Sequence, residues 1–325
     1  MRPLTMIPEY GPVSKLLLCF VHPFFNTRFA YGPAMAEMVR AARNHVEVVL
    51  FVDPEDLPPL EAALANCGLS LGDVTTIPRS SGRAIFNEWC PIFCQDDENQ
   101  GVALTFPWLS EHPHRQEHQL DRAERFGRWL AEHLGLPQHR MPFDFSGSAV
   151  AVCEEFVFVS RGFLAKDSPE EFEQKLAYLR RSLPNQEVLP LPSLTDDTGP
   201  DLDTYLLPIG PRSWISSQYP SGTDQAKSVR TVQEELRRRG HTVHLVPGLE
   251  RIQYDDIDAL PGYPESVLLG DAALVPSYGR PEDEAIQGIL KDYGLTVYPV
   301  DCRQVCLTGV ALHGISKTLP ASLEI

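Results

Sequence analysis

Apolar positions along the chain repeat in one order: a helical spacing of three and four residues, a turn, and a short apolar run. The first copy, "AMAEMVRAARNHVEVVLFVDP", occupies residues 34–54. Four more copies follow it, at residues 122–144, 170–192, 226–248 and 283–301. This pattern predicts five helices, each followed by a short buried strand, and the strands are expected to begin near residues 46, 139, 187, 242 and 296.

Paired strands are predicted between the helical patterns, where two apolar runs flank a turn at residues 148–162, 205–216 and 266–279. One additional helical pattern lies at residues 57–68. Five such units can close into a ring, with the helices outside and an axial cleft lined by strand ends. We therefore predict an α/β fold of five pseudo-symmetric ββαβ-type units around a central cleft, as a single domain over residues 1–325. An open α/β sheet of two domains is the alternative.

The chain is acidic, with a formal net charge of −16 and a pI near 5.0. Acidity argues against nucleic acid as a partner, because phosphates require a basic surface, and it is compatible with a cationic small molecule. The apolar run at residues 16–25 is too short to cross a bilayer and lacks the features of a signal peptide, so we expect no membrane association. Seven cysteines, an odd number, indicate reduced thiols and a cytoplasmic location.

Signatures of bound groups are missing from the sequence. There is no phosphate-binding loop, no dinucleotide-binding glycine pattern, no G-x-S-x-G and no H-E-x-x-H. The pairs Cys90/Cys94 and Cys302/Cys306 have C-x3-C spacing instead of the C-x2-C knuckle that is usual for zinc. We therefore expect neither a cofactor nor a metal.

Acidic side chains stand at two predicted strand ends. Asp96 follows the apolar run of "WCPIFCQDDENQG", where a carboxylate is placed to bind a cation at a cleft, although a solvated turn is the simpler interpretation. Asp201 and Asp203 are two residues apart in "GPDLDTYLLPIG" and are expected to share one face. Like charges this close raise the pKa of at least one carboxyl unless a cation lies between them.

Five segments, in their order along the chain, resemble the pentein superfamily of guanidine-modifying enzymes. They are "FCQDDE", "FSGSAVAV", "DLDTYLLPIG", "LVPSYGRPEDEA" and "GVALHGISK". That superfamily includes agmatine, peptidylarginine and arginine deiminases, dimethylarginine hydrolases and amidinotransferases. The resemblance covers nearly the whole chain and implies the pentein α/β-propeller, in agreement with the five units counted above.

The resemblance implies a set of substrate-binding residues. Asp96 is similar to the family's first guanidinium-binding carboxylate, with Glu88 in a less favoured register, and Asp203 matches the second. Gly147 and Ser148 resemble the family's Gly-Gly-Asn-type strand start, where small residues let the backbone approach a ligand. Arg161 is a candidate for binding a substrate carboxylate, with a surface arginine as the alternative.

Two catalytic positions depart from the family pattern. Asp201 stands where the family has the histidine of H-x-D, and Gly314 stands where its nucleophilic cysteine follows a histidine. Gly309 and His313 match the first glycine and the histidine of that last motif. Without a thiolate, the covalent intermediate of these enzymes cannot form.

Two functions of different classes are compatible with this pattern. The first is an enzyme that acts on a guanidino or related cationic small molecule without a covalent step, using Asp201 as general acid/base with help from His313. The second is a catalytically inactive relative that serves as a binding or regulatory protein. A divalent metal site built from Asp96, Asp201 and Asp203 is a third alternative. The sequence leaves the oligomeric state open, with a homodimer as one possible assembly.

Overall fold

The fold is described from a computed structural model, which covers residues 2–22, 31–81, 86–107, 117–143, 145–161, 168–191, 194, 202–254 and 257–323. Within these ranges the chain forms six helices and nineteen strands. The helices are α1 (Tyr31–Ala42), α2 (Leu57–Asn66), α3 (Glu117–His133), α4 (Pro169–Ser182), α5 (Asp224–Arg238) and α6 (Asp283–Asp292). The strands are β1 (Leu4–Met6), β2 (Val13–Phe20), β3 (Glu47–Val52), β4 (Thr75–Ile77), β5 (Ile92–Asp96), β6 (Gly101–Thr105), β7 (Gln138–Arg140), β8 (Val150–Val152), β9 (Phe156–Ser160), β10 (Glu187–Leu191), β11 (Leu206–Gly210), β12 (Ser213–Gln218), β13 (Thr242–Pro247), β14 (Ile252–Tyr254), β15 (Ile257–Ala259), β16 (Val267–Leu268), β17 (Ala272–Ser277), β18 (Thr296–Asp301) and β19 (Ser316–Pro320).

One unit recurs in the sheets: an antiparallel pair of strands, a helix, and a third strand parallel to the second. In one sheet β8 pairs antiparallel with β9, α4 crosses over, and β10 pairs parallel with β9. The same order recurs for β11, β12 and β13 around α5, and for β16, β17 and β18 around α6. It recurs again for β5, β6 and β7 around α3. The predicted ββαβ unit is therefore confirmed.

The fifth unit is completed by the two ends of the chain. The last strand, β19, pairs antiparallel with β2, and β3 pairs parallel with β2 after α1. The extra helix expected at residues 57–68 is α2, which leads to β4 at the outer side of this sheet. Because Ser316 lies opposite Leu18, the start of β19 is anchored to β2.

Boundaries of the third strands agree closely with the sequence. They begin at Glu47, Gln138, Glu187, Thr242 and Thr296, each within one residue of the expected start. Local signals set the helix starts: Ser168 and Glu171 form a capping box at α4, and Thr223 accepts a hydrogen bond from the N–H of Ala226 at α5. Helices α4, α5 and α6 each pack on strands of their own sheet, whereas α2 packs on α1.

The first strands of the five units meet at one axis. Residues of β5, β8, β11, β16 and β19 line two neighbouring cavities, and the two cavities share Glu9, Leu207, His313, Lys317 and Thr318. The axial cleft expected from the five-unit pattern is therefore present, and it is bordered by strands from every unit. In the part of the chain that is described, no helix combines the length and apolar character needed to span a bilayer.

Candidate functional site

A small cavity lies at the axis of the ring and has charged groups on an otherwise mostly apolar wall. Its volume is about 40 Å³, enough for a few water molecules. The apolar wall includes Ile92, Phe93 and Leu206, and the charged residues are Glu9, Asp203, His313 and Lys317. This combination of apolar walls with a few convergent polar groups is typical of a ligand site.

His313 lies between two carboxylates. Its Nδ1 is 2.7 Å from Oδ2 of Asp203, and its Nε2 is 2.6 Å from Oε2 of Glu9. Both ring nitrogens face carboxylate oxygens, so we assign the ring as a doubly protonated imidazolium that donates to each. Charge-assisted hydrogen bonds of this length hold the ring in one orientation.

The protonation states of His313 and Glu9 depend on each other. Burial by itself disfavours the imidazolium, but Glu9 and Asp203 outweigh that effect and raise the pKa of His313 to about 10. Burial likewise disfavours the carboxylate of Glu9, yet Lys317 and His313 hold its pKa well below its usual range. At neutral pH His313 therefore keeps its proton and is not available as a general base.

Lys317 supplies a second positive charge. Its Nζ donates to Oε1 of Glu9 at 2.8 Å and to Oδ1 of Asn87 at 3.0 Å. The Nδ2 of Asn87 lies 3.2 Å from Nδ1 of His313, so the amide borders both cations. Two carboxylates and two cations therefore balance each other inside the site.

Backbone contacts hold these side chains in place. The turn that carries His313 begins at Gly309, whose φ of 87° suits glycine, and the N–H of His313 donates to the carbonyl of Glu265 at 3.0 Å. Asp203 lies in a short 3₁₀ helix, Leu202–Thr204. The carbonyl of Gly314 accepts hydrogen bonds from the N–H groups of Phe86 and Asn87, at 2.7 and 3.0 Å. The segment with Asn87 is thus fixed to the segment with His313.

Gly147 also lines the cavity and lets Asn87 approach closely. A Cβ at Gly147 would lie 2.7 Å from both the backbone oxygen and the Oδ1 of Asn87, which is too close for any side chain. The sequence-based expectation that a small residue is needed here thus has a physical reason. The group that approaches Gly147 is Asn87 of the protein itself, in place of the ligand that we expected.

Gly314, which the sequence motifs predict to stand at the position of the family nucleophile, packs against Val310. A Cβ at Gly314 would lie 2.7 Å from Cβ and 3.0 Å from Cγ1 of Val310. The side chain of Val310 therefore occupies the space that a side chain at position 314 would need.

The structure brings some of the predicted site residues together and separates others. Asp203, His313 and Gly147 border the axial cavity. Ser148 is buried beside it, where its Oγ is 2.8 Å from Oγ of Ser146. Arg161 is exposed, with its guanidinium 5.2 Å from the ring centroid of Phe172, and it is not among the described residues of the cavity wall. Asp201 lies outside the described residues.

Asp96 does not join this group. Its carboxylate accepts the N–H groups of Glu98 and Gln100 at 3.0 and 2.9 Å, and it pairs with Arg2 at 3.2 Å. It borders a separate cavity of about 560 Å³. These contacts explain the position of Asp96 as an acceptor within a turn, and the backbone donors and Arg2 lower the pKa of its carboxyl. Glu88, the alternative position, is half-buried next to Asn87.

Alternative nucleophiles near Gly314 are engaged in the fold. Ser316 is buried and its hydroxyl donates to the carbonyl of Leu312 at 2.7 Å. Cys302 and Cys306 are buried, and burial raises the pKa of both thiols. Among the described residues, no three His, Cys, Asp or Glu side chains are arranged to hold a metal ion. The separation of Asp96 from Asp203 also removes the proposed three-aspartate site.

Three residues of the site were missed from the sequence: Glu9, Asn87 and Lys317. Glu9 lies in the turn between β1 and β2 and belongs to no recognisable motif. Of these three residues, Lys317 could have been recognised from the sequence, because a lysine inside the apolar strand "ISKTLP" requires a buried partner.

Comparison with known proteins now places the chain in a family. The model of the Porphyromonas-type peptidyl-arginine deiminases matches residues 5–320. The chain belongs to this family. This match confirms the resemblance to the pentein superfamily that the sequence motifs indicated. No curated protein matches the sequence.

Solved structures of the family's type share the fold. Agmatine deiminase of C. jejuni superposes with a TM-score of 0.81 at 16% identity, covering 98% of this chain and 96% of that one. Agmatine deiminase of Enterococcus faecalis gives a TM-score of 0.79 at 16% identity, with 98% and 96% covered. The N-terminal domain of ArgZ, a cyanobacterial arginine dihydrolase, gives 0.56 at 14% identity, with 94% and 97% covered. The pentein fold expected for this chain is confirmed.

Proposed function

We propose that this deiminase-family protein binds a guanidino or related cationic small molecule non-covalently at the axial cavity and does not turn it over. The observation that carries the proposal is the packing of Val310 against Gly314. An arginine-type deimination by the thiol route needs a nucleophile at this position, and here neither a side chain nor space for one is present.

Binding is supported by the carboxylates that remain. Asp203 borders the cavity, and its Oδ2 is committed to His313. A guanidinium can share such a carboxylate, since its planar donors pair with carboxylate oxygens. The cavity of about 40 Å³ must widen to admit an arginine-like ligand, whose methylene chain would then contact the apolar wall formed by Ile92, Phe93 and Leu206. Two of the similar structures hold a bound substrate, namely variants of agmatine deiminase and of ArgZ, which makes agmatine and arginine the first compounds to test.

The described groups that could take part in proton transfer at the cavity are already paired with one another. His313 is an imidazolium with a pKa of about 10, and Lys317 is an ammonium paired with Glu9. Glu9 is committed to both cations through its two oxygens. A water molecule in the cavity has the carboxylates of Asp203 and Glu9 as its neighbouring acceptors in the described structure, and each of them already accepts a hydrogen bond from His313.

Calorimetric titration tests the binding proposal. Agmatine, arginine and methylated arginine are titrated into the wild-type protein, into Asp203→Asn, and into Asp97→Asn as a matched control, because Asp97 is exposed. We expect saturable binding of at least one compound to wild type and Asp97→Asn, weakened about tenfold or more in Asp203→Asn.

The products in the same samples are then analysed by mass spectrometry. An unchanged ligand after prolonged incubation is the result expected. Release of ammonia or formation of a ureido product that depends on Asp203 would contradict the absence of turnover. Lack of binding for every guanidino compound would count against the cation site.

A further inference from the structure

The ammonium of Lys317 occupies a built cation site inside the protein. Its two acceptors, Oε1 of Glu9 and Oδ1 of Asn87, are 2.8 and 3.0 Å away, and its side chain is 6% exposed. Gly147 and the carbonyl of Gly314 hold Asn87 in position from two sides. The site therefore consists of a carboxylate and an amide oxygen that converge on one positive charge.

A second lysine–glutamate pair, on strands β2 and β3, provides a comparison for the burial of Lys317. Lys15 of β2 donates to Oε2 of Glu47 at the same 2.8 Å, but the two side chains are 27% and 44% exposed. Such a surface pair contributes little and leaves its acceptor accessible to water. Lys317 in contrast is only 6% exposed, whereas the side chain of Glu9 is 30% exposed, so the carboxylate can still be reached from outside.

The position of Lys317 also divides the space at the axis. Lys317, Glu9 and His313 line both the cavity of about 40 Å³ and the smaller one of about 10 Å³. Removing the lysine side chain beyond Cβ would enlarge this space by three methylene groups and an ammonium. That volume corresponds to propylammonium.

We infer that Lys317 is a resident competitor of the ligand: the protein's own ammonium fills a cation site on Glu9, and an external guanidino or amine cation reaches Glu9 only by displacing it. The identity of the native ligand rests on the proposed function, whereas the occupied site itself does not. The affinity of the wild-type protein is then set by the competition between Lys317 and the ligand.

Chemical complementation tests this inference. Thermal unfolding of Lys317→Ala is followed against propylammonium, with 1-propanol as the uncharged probe of equal size and Lys15→Ala as the matched control. We expect a saturable rise of the unfolding midpoint for Lys317→Ala with propylammonium, half-maximal at a concentration at least tenfold lower than any effect on wild type or Lys15→Ala. Adding Glu9→Gln to Lys317→Ala should abolish the rise.

If Lys317→Ala does not fold alone, the readout is recovery of the folded state. Propylammonium, and not 1-propanol, should then restore a cooperative unfolding transition. Equal effects of the two probes, no response to propylammonium, or an unchanged response after Glu9→Gln would overturn the inference. If Lys317→Ala responds to propylammonium but the wild-type protein binds no guanidino compound, the proposed function is contradicted and the inference about Lys317 stands. The two failures can therefore be told apart.

Discussion

Val310 packs directly on Gly314: a Cβ built on the glycine would lie 2.7 Å from the Cβ of the valine. The two residues belong to one turn that leads from Gly309 to β19 and carries His313 between them. A contact this short to a Cβ cannot be relieved by rotating a flexible side chain. The packing of the turn itself therefore opposes any side chain at position 314.

Restoring the cysteine should for this reason be costly. Gly314→Cys is expected to lower the free energy of unfolding by about 1–3 kcal/mol, the usual cost of overpacking a core. The double variant Val310→Ala/Gly314→Cys should recover only the part of the loss that comes from Cγ1 and Cγ2, because alanine keeps the Cβ that lies 2.7 Å away. Denaturant unfolding measures both values. A Gly314→Cys protein as stable as wild type would show that the turn has room for a thiol.

The imidazolium of His313 should make stability fall with alkali. Folding raises its pKa from 6.5 to about 10, so its contribution is complete below about pH 6.5 and is lost as the pH rises towards 10. Between pH 7 and 9 wild type should lose up to about 1.4 kcal/mol of unfolding free energy per pH unit from this group.

His313→Gln provides the reference for that measurement. Its unfolding free energy, measured with denaturant at the same pH values, should lack this slope while starting lower at pH 7. Parallel pH dependences for the variant and for wild type would mean that His313 is neutral in the folded protein.

Gly147 can be tested against another glycine of the chain. Gly147→Ala places a methyl group 2.7 Å from Asn87, so we expect a loss of about 1–3 kcal/mol in unfolding free energy. Gly288 lies inside α6 with no heavy atom within 4 Å of the added Cβ, and Gly288→Ala should stabilise by about 0.5–1 kcal/mol. Opposite signs in the two denaturant curves are the expected outcome. Two similar shifts would contradict a special role for the contact between Gly147 and Asn87.

Asp96 belongs to the binding site predicted from the sequence but not to the site found in the structure. Because its carboxylate is used by the turn at Glu98 and Gln100, Asp96→Asn should lower the thermal unfolding midpoint and leave guanidino affinity unchanged. Asp203→Asn, in contrast, should weaken guanidino binding by about tenfold or more. Calorimetry on the two variants side by side decides, and a large loss of affinity in Asp96→Asn would return that residue to the binding site.

The fold could be predicted well because its signals are local and repeated. Third strands such as β10 and β13 begin where expected, since a helical period gives way to an apolar run in each unit. The pairing of β19 with β2 could not be predicted in the same way, because it joins residues almost 300 positions apart. The sequence predicted a ring of five units but not this pairing.

The site was predictable in part for the same physical reason. Asp203, His313 and Gly147 stand at strand ends or turns within recognisable segments. Glu9 and Asn87 enter the site through contacts across the ring, with His313 and Lys317, that no local pattern encodes. The filled space at Gly314 depends on the conformation of its own turn, which the residue types alone did not reveal.

Binding without turnover is the central claim, and a single-turnover experiment tests it most directly. Protein in excess over labelled agmatine or arginine is incubated at neutral pH, and the bound compound is recovered and identified by mass spectrometry. The compound should be recovered unchanged, with no covalent adduct on the protein. Stoichiometric conversion to a ureido product and ammonia, lost in Asp203→Asn, would contradict it.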